Sequence, residues 1–315
     1  MITKFEVRNM VTDDRITFGQ EGTCDYLYNS DGLDWGNASA THNTYNYPGQ
    51  VGVSIYSSKI NERDISITAW VYYILTKKEM ETVDRNKWNE YAYERIKKKK
   101  DILSGVFNPS DYVRITTGGY YIDGKPAASV KFGSNEEDNN IYFCKFSVTI
   151  YCSNPMFKKE TVVQKAITGD TPAWHFPFII SDEPVVFGTR VDYLSLSIEN
   201  EGNVAIGGKI KLIAKGEVVN PTITNVETGE RIVVNKTMSS GEVITITTID
   251  GQERGIVGSI SGVEENYLRY WKFTNDWMKF QKGTTLIEYS TENQAEDSLE
   301  VVVELNPEKY NLEEM

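Results

Sequence analysis

The chain contains only two histidines, and these are the first residues to consider for chemistry. His42 lies in the polar segment Ala40–Thr44, and His175 lies between Trp174 and Phe176. A Ser-His-Asp triad or a histidine-rich metal site usually needs more partners than this. The chain also lacks a nucleophile elbow, a phosphate-binding loop, a dinucleotide-binding turn, a zinc-protease helix and a Cys-x-x-Cys pair. We therefore expect no catalytic, cofactor-binding or metal-binding residues, and both histidines to be structural or surface residues.

Neighbouring carboxylates are the second candidate for chemistry, because two carboxylates facing each other across a cleft can hydrolyse a glycosidic bond. They occur here in polar segments, as Asp13-Asp14, Glu136-Glu137-Asp138, Asp182-Glu183 and Glu264-Glu265. Adjacent acids on one loop give no evidence of such a cleft, so we predict solvated loops. The segment 135–140 lacks the EF-hand spacing, although calcium binding there stays an open alternative.

The three cysteines are too few for a disulfide framework. Cys144 and Cys152 share a strand face, but about 27 Å separates them at about 3.4 Å per residue, so they can neither bridge nor share a metal. We predict buried thiols in a chain assembled in a reducing cytosol. The first residues alternate like a strand and not like a signal peptide, and no apolar run approaches about 18 residues, so we expect no membrane insertion.

The charge balance limits the classes of partner. A net charge of −12 argues against a specific nucleic-acid reader and against a binder of anionic membranes. Lys97–Lys100 is the one basic cluster. Four consecutive residues wrap around a helix, so we predict a solvated helix end, with contact to DNA or to an acidic partner as the alternative.

Two elements give the strongest structural signals. In the run Ile141–Phe157, apolar side chains from Cys144 to Cys152 alternate with Lys145, Ser147 and Thr149, which predicts a long strand that ends at Asn154-Pro155. Thr76 and Glu79 form a capping-box pattern, which predicts one long helix over about 76–104 that closes at Gly105. Large residues on both faces of Ile65–Tyr73 predict a strand covered on both sides, and Asp123-Gly124 predicts a hairpin turn.

We predict a mainly β protein with two domains, since a single core rarely grows to this chain length. Residues 1–157 form an α+β domain that contains the helix. Residues 158–190 form a connector that prolines interrupt. Residues 191–315 form a β-sandwich, because short strands and turn signals alternate there every 8–12 residues.

Aromatic residues are abundant, which suits β cores and broad interfaces. Core packing, a subunit interface and a sugar platform remain open for a set in the first half: Trp35, Tyr45, Tyr47, Tyr56, Trp70, Tyr72 and Tyr73.

The order of several motifs along the chain resembles the distal tail protein (Dit) family of siphophage-type tails and related phage-tail-like particles. In the first half they are Leu33–Gly36 through Gln50–Gly52, Arg63–Val71, Phe107–Pro109, Tyr121–Gly124 and Phe146–Phe157. In the second half they are Phe176–Phe178, Ile198–Gly202, Val219–Ile223, Thr228–Glu230, Gly241–Ile244 and Asp250-Gly251. The chain departs from the family in a longer helix with its four lysines, and in Gly283-Thr284 where the family usually has Gly-Asn.

The resemblance implies that the first domain forms a hexameric ring and that the second is a galectin-like β-sandwich. It also implies a structural protein of the virion tail tip, or baseplate hub, assembled in the bacterial host cytoplasm. Expected partners are further copies of the chain, the tail tube protein, the tape-measure protein, the tail-tip hub protein with its associated lysin or fibre, and a receptor-binding protein. The ring would enclose the DNA channel, where an acidic wall lets DNA slide.

Two other functions compete with this structural role. A carbohydrate-binding module for host-wall glycans is the alternative that the aromatic content and the sandwich pattern suggest. A wall hydrolase is the weakest hypothesis, because no acid–base pair or metal set is present in the sequence.

Overall fold

The structure is a computed structural model, which describes residues 4–19, 24–28, 32–160, 163–167, 170–172, 188–190, 195–251 and 254–312. The chain divides into two compact units, Met1–Glu160 with Lys309–Met315, and Thr161–Glu308. Strands dominate both units and one long helix lies in the first, so the predicted mainly β fold class is confirmed.

Among its described residues, the first unit contains two α-helices and thirteen strands or parts of strands. The helices are α1 (Lys77–Thr82) and α2 (Trp88–Val106). The strands are β1 (Lys4–Asn9), β2 (Arg15–Gly19), β3 (Tyr26–Leu27), β4 (Leu33–Asp34), β5 (Ala40–Tyr45), β6 (Ser54–Ile60), β7 (Arg63–Tyr72), β8 (Val113–Thr117), β9 (Tyr120–Pro126), β10 (Lys131–Phe132), β11 (Phe143–Cys152), β12 (Phe157–Lys159) and, in part, β27 (Glu308–Lys309).

The large sheet of the first unit closes into a barrel through β11. This strand pairs antiparallel with β7 along its whole length. It also pairs with β9, with Ile150 opposite Pro126 and Tyr151 opposite Lys125. The order β7-β3-β2-β1-β8-β9 completes the circuit. Closure gives β7 and β11 neighbours on both edges, so neither strand offers a free edge over the paired length.

The barrel interior holds the core of the first unit. The predicted apolar face of β11 is confirmed, because its five inward side chains are buried: Cys144, Phe146, Val148, Ile150 and Cys152. Strand β7 buries Ile65, Ile67, Ala69 and Val71 in the same way. Within the single chain the outer face of β7 is covered only in part, since Ser66 is exposed and Thr68, Trp70 and Tyr72 are half-buried.

The predicted single helix over 76–104 is broken into two. The capping box is present: the Glu79 backbone N–H donates to the Thr76 hydroxyl at 3.3 Å, and the Thr76 N–H donates to the Glu79 carboxylate at 2.9 Å. The backbone is extended at Val83, however, and the Asp84 carboxylate accepts from the Asn86 N–H at 3.0 Å. Asp84 thus acts as a second N-cap, which ends α1 and starts a 3₁₀ turn before α2.

Helix α2 packs on the barrel through its buried side chains Ala92, Ile96, Leu103 and Val106. It continues through Gly105, the residue predicted to close it, and ends at Val106.

The predicted hairpin turn at Asp123-Gly124 is also wrong. Both residues lie inside β9. The turn that joins β8 to β9 is at Gly118-Gly119, where both glycines have positive φ. Asp123 instead accepts two hydrogen bonds from the Arg114 guanidinium on the paired strand, at 2.7 and 2.8 Å.

The strands of the second unit are β13 (Val163–Ile167), β14 (Asp170–Pro172), β15 (Gly188–Arg190), β16 (Ser195–Asn200), β17 (Lys209–Ala214), β18 (Val218–Val219), β19 (Thr222–Asn225), β20 (Arg231–Val233), β21 (Thr237–Met238), β22 (Val243–Thr247), β23 (Gly255–Ile260), β24 (Val263–Asn266), β25 (Gly283–Ser290) and β26 (Leu299–Leu305). A six-stranded sheet, β13-β26-β17-β22-β23-β24, and a four-stranded sheet, β16-β25-β19-β20, share one apolar core. The second unit is therefore a β-sandwich.

The division into units differs in two places from the predicted boundaries. Strand β13 lies in the predicted connector over 158–190, yet it pairs with β26 of the sandwich. Residues from Lys309 onward lie in the first unit, where the buried Arg63 guanidinium donates to the Tyr310 carbonyl and, at 3.5 Å, to the Asn311 side chain. The hydrogen bond to the Tyr310 carbonyl compensates part of the free-energy cost of burying the charged Arg63 guanidinium.

Two glycines of the first unit test the barrel closure. A Cβ at Gly124 would lie 2.7 Å from Ile150 Cγ2 and 2.8 Å from Cys152 Sγ, where β11 crosses β9. We expect Gly124→Ala to lower the free energy of unfolding by about 1–3 kcal/mol through overpacking. Gly105→Ala is the control, because nothing lies within 4 Å of that Cβ, and it should raise stability by about 0.5–1 kcal/mol. Urea unfolding measures both, and equal effects of the two substitutions would contradict the closure.

Candidate assembly surface

Strands β5 and β6 form a two-stranded sheet of their own, and within the described residues they pair with no other strand. The pairing runs from Ala40 opposite Ile60 to Tyr45 opposite Ser54, with an irregularity at Asn43/Thr44. Polar side chains link the strands. The Asn43 amide donates to the Ser57 hydroxyl at 2.8 Å.

This β5–β6 hairpin has no covering layer within the described part of the chain. Every residue of β5 is exposed, and so is every residue of β6 except the half-buried Ser54. Seven large apolar side chains in and between the strands are exposed: Tyr45, Tyr47, Val51, Val53, Ile55, Tyr56 and Ile60. An isolated hairpin is marginally stable in water, and a contiguous exposed apolar surface marks an interaction site. The hairpin therefore has the composition of a binding element.

The predicted set of aromatic residues separates into two groups. Trp35 contacts the core rings of Phe5 and Phe157 edge to face, with centroids at 6.1 and 5.4 Å. Tyr45, in contrast, lies on the hairpin with its centroid 4.9 Å from that of Tyr47 and 6.0 Å from that of Tyr56. Core packing thus accounts for Trp35, and the hairpin tyrosines remain available to a partner.

The outer face of β7 changes in character along the strand. Trp70 and Tyr72 are half-buried, whereas Asp64 and Ser66 are exposed. The Tyr72 hydroxyl donates to the Cys24 carbonyl at 3.0 Å, which fixes one aromatic ring on that face.

The predicted candidates for chemistry are dispersed. His42 lies on the hairpin, hydrogen-bonded through Nδ1 to the Ser58 hydroxyl at 2.8 Å. His175 and Asp182-Glu183 lie outside the described residues. The three cysteines are buried and free, and burial raises the pKa of the Cys152 thiol to about 12. The thiol is therefore protonated and unreactive at neutral pH.

The acidic pairs that the structure describes contact basic side chains. Asp13 pairs with Arg8, and the Arg8 hydrogen bond holds the pKa of Asp13 below its ordinary value. Asp138 lies 3.7 Å from Lys145, and Glu265 lies 2.8 Å from Arg269. Among the described residues, no group of three or more His, Cys, Asp or Glu side chains is placed to hold a metal ion. No described helix is long and apolar enough to span a bilayer.

The lysine cluster has two roles and not one. Lys97 and Lys98 are exposed, as predicted, but the predicted position at a helix end is wrong, because α2 continues to Val106. The Lys99 ammonium instead donates to the carbonyls of Asp25 at 2.9 Å and Tyr72 at 3.1 Å, and burial lowers its pKa. Lys100 donates to the Asn139 side chain at 3.1 Å. Lys99 and Lys100 therefore fix α2 to the loops and strands of the first unit.

Glu79 fixes α1 to its surroundings. Its carboxylate accepts from the hydroxyls of Tyr73 at 2.6 Å and Tyr91 at 3.1 Å, besides Thr76. The Tyr73 hydrogen bond, followed by those of Thr76, lowers the pKa of Glu79 to about 2. Arg95 lies 3.6 Å from the same carboxylate. The side chain that completes the capping box thus also joins α1 to α2 and to the end of β7.

The sequence of the second unit and the fold of the chain are both similar to known proteins. Residues 201–304 match the model of a family described as siphovirus-type tail component, C-terminal domain. The crystal structure of SPP1 Dit, described as a paradigm of the hub adsorption apparatus in phages that infect Gram-positive bacteria, has 12% sequence identity and a TM-score of 0.60; the match covers 96% of this chain and 98% of that one. The resemblance to distal tail proteins is thus confirmed, in the second unit by the family model and over the chain by the fold.

Two structures of the phage p2 baseplate in its activated conformation, with Ca and with Sr, also match. Their TM-scores are 0.42 and 0.43, with 13% and 11% identity, over 96% of this chain and 98% and 97% of theirs. No curated protein matches the sequence.

The two roles in the lysine cluster predict different effects of substitution. Lys99→Ala removes the donor to two backbone carbonyls and should lower the free energy of unfolding by about 1–3 kcal/mol. Lys98→Ala, one residue earlier on the exposed face, should change it by less than about 0.5 kcal/mol. Urea denaturation distinguishes them, and a Lys98→Ala effect as large as that of Lys99→Ala would refute the assignment.

The depressed pKa of Glu79 predicts an acid-dependent contribution to stability. The contribution is complete above the ordinary pKa of 4.5 and is lost as pH falls towards about 2. We expect the difference in urea midpoint between the native protein and Glu79→Gln to be constant from pH 7 to 5 and to shrink between pH 4.5 and 2. Glu81→Gln, on the exposed side of α1, is the control. A difference that does not change over this range would exclude Glu79 as the cause.

Proposed function

We propose that the chain is a structural component of a phage tail tip or of a related tail-like particle, where its first unit forms a ring. The observation that carries the proposal is the exposed β5–β6 hairpin. The match of the second unit to a siphovirus-type tail component and the fold shared with SPP1 Dit support the place of the protein at the tail tip.

The partner of the hairpin is a second copy of the chain. The hairpin needs an apolar, partly aromatic surface to cover the ring cluster of Tyr45, Tyr47 and Tyr56. The outer face of β7 offers Trp70 and Tyr72, which the chain itself covers only in part. The hairpin and the outer face of β7 are different surfaces of one molecule. A contact between two copies therefore leaves the hairpin of one copy and the β7 face of the other unoccupied. Such heterologous contacts close into a ring when the rotation between copies allows it.

Six copies, as the family resemblance implies, would place the ring around the DNA channel. The net charge of −12 suits this position, because an acidic wall does not retain DNA. The ring would join the tail tube and tape-measure proteins on one side to the hub protein, its associated lysin or fibre, and the receptor-binding protein on the other. Assembly would take place in the host cytoplasm, and the protein would act as a connector and not as an enzyme.

Light scattering at micromolar concentration tests the ring. We expect a mass that is a multiple of 35.8 kDa for the native chain. The double substitution Ile55→Ser and Tyr56→Ser should give a folded monomer, because both side chains are exposed in the single chain. Val263→Ser removes an equally exposed apolar side chain from the second unit and should leave the mass of the oligomer unchanged. A native chain that remains at 35.8 kDa at every concentration contradicts the proposal.

A further inference from the structure

One short segment of the second unit concentrates aromatic side chains at the surface. Between Trp271 and Trp277 the chain contains Phe273, whose side chain is 102% exposed. The two indole rings stack with centroids 4.3 Å apart and an interplanar angle of 20°. Both tryptophans are half-buried. We call residues 271–277 the Trp271–Trp277 loop. Burying a phenylalanine side chain fully stabilises a protein by about 1.5–3 kcal/mol. Phe273 gains none of this stabilisation in the single chain, which marks it as a candidate contact residue.

The Trp271–Trp277 loop is fixed to the sandwich on both sides. The Asn275 side chain accepts from the Val233 N–H at 3.0 Å and donates to the Val233 carbonyl at 2.8 Å. Trp271 forms a bridge with Val234. After the loop, Met278 and Phe280 are fully buried. A loop held in this way loses little conformational entropy when a ligand binds.

A group of charged side chains begins at one side of the stacked indoles. The Arg254 guanidinium carbon lies 5.9 Å from the Trp277 ring centroid. Arg254 also pairs with Asp250, which accepts from Lys279 at 2.6 Å. Within the described part of the chain neither indole N–H donates a hydrogen bond to the protein. Flat apolar rings and hydrogen-bonding groups are therefore presented side by side.

We propose that the Trp271–Trp277 loop is a binding site for a neutral glycan. A sugar ring has an apolar face of C–H groups, which the electron-rich face of an aromatic ring attracts. Its hydroxyl groups need donors and acceptors at the rim, which Arg254, Asp250 and the indole N–H groups supply. Binding sites for small ligands combine apolar lining with a few placed polar groups in the same way.

Charge argues for a glycan over the other classes of ligand. A stable protein interface has an apolar centre depleted of charged residues and buries more than about 1,000 Å². Here Lys272 and Asp276 are exposed within the loop itself. A nucleic acid also stacks on aromatic rings, but it requires a basic surface. Here the cations Arg254 and Lys279 both pair with Asp250.

The test uses the full chain and an array of neutral oligosaccharides of glucose, galactose, rhamnose and N-acetylglucosamine. We expect at least one to bind with a Kd below about 1 mM, measured by the quenching of tryptophan fluorescence. Phe273→Ala should weaken binding of that oligosaccharide at least about tenfold without loss of folding, because the side chain contacts nothing in the single chain. Trp277→Phe keeps a ring and should weaken binding less than Trp277→Ala does.

Val263→Ala is the matched control, since it removes an exposed apolar side chain outside the loop, and it should bind as the native chain does. Absence of binding across the array overturns the proposal, and so does native affinity in Phe273→Ala. Loss of self-association in Phe273→Ala without glycan binding would assign the loop to a protein contact instead and also overturn it. The inference is independent of the ring, because Phe273→Ala should retain the oligomeric mass.

Discussion

The closure of the barrel by β11 is the constraint on which the rest of the first unit depends. Strand β7 pairs with β11 along one edge and with β3 and β4 on the other. Strand β6 precedes β7 directly in the chain, yet among the described strands it pairs with β5 and not with the barrel. The hairpin thus carries its apolar side chains without a layer of the same chain to cover them. The surface that we assign to assembly is a consequence of how the barrel closes.

Local patterns in the sequence predict the elements well but not their pairing. Alternation on β11 identifies its buried face, and the capping box at Thr76 and Glu79 identifies the start of α1. The break at Asp84 was missed, because the periodicity of apolar residues continues across it while one carboxylate caps the next turn. Asp123-Gly124 has the composition of a turn, but Gly124 is needed for the close approach of β11, a contact between residues distant in sequence.

Local sequence patterns also do not show which candidate functional residues are covered by the rest of the chain. The sequence shows that Tyr45 and Trp35 are aromatic, but only the packing shows that one lies on an uncovered hairpin and the other against the core. The sequence does not distinguish Lys99 from Lys98. The position of α2 on the barrel decides that Lys99 is the one that donates to backbone carbonyls. The sequence does not single out Trp271, Phe273 and Trp277, because composition alone cannot show that two indoles stack and that the ring between them is exposed.

The most direct test of whether a second copy covers β5 and β6 is hydrogen–deuterium exchange of the hairpin amides. It is measured on the native chain over a series of concentrations. If copies of the chain cover the hairpin, amides of Ala40–Tyr45 and Ser54–Ile60 become protected as concentration rises and lose protection on dilution, while the interior strands of the barrel stay protected throughout. Fast exchange of the hairpin at every concentration, in a sample whose barrel is fully protected, would show that no second copy covers it and would contradict the account.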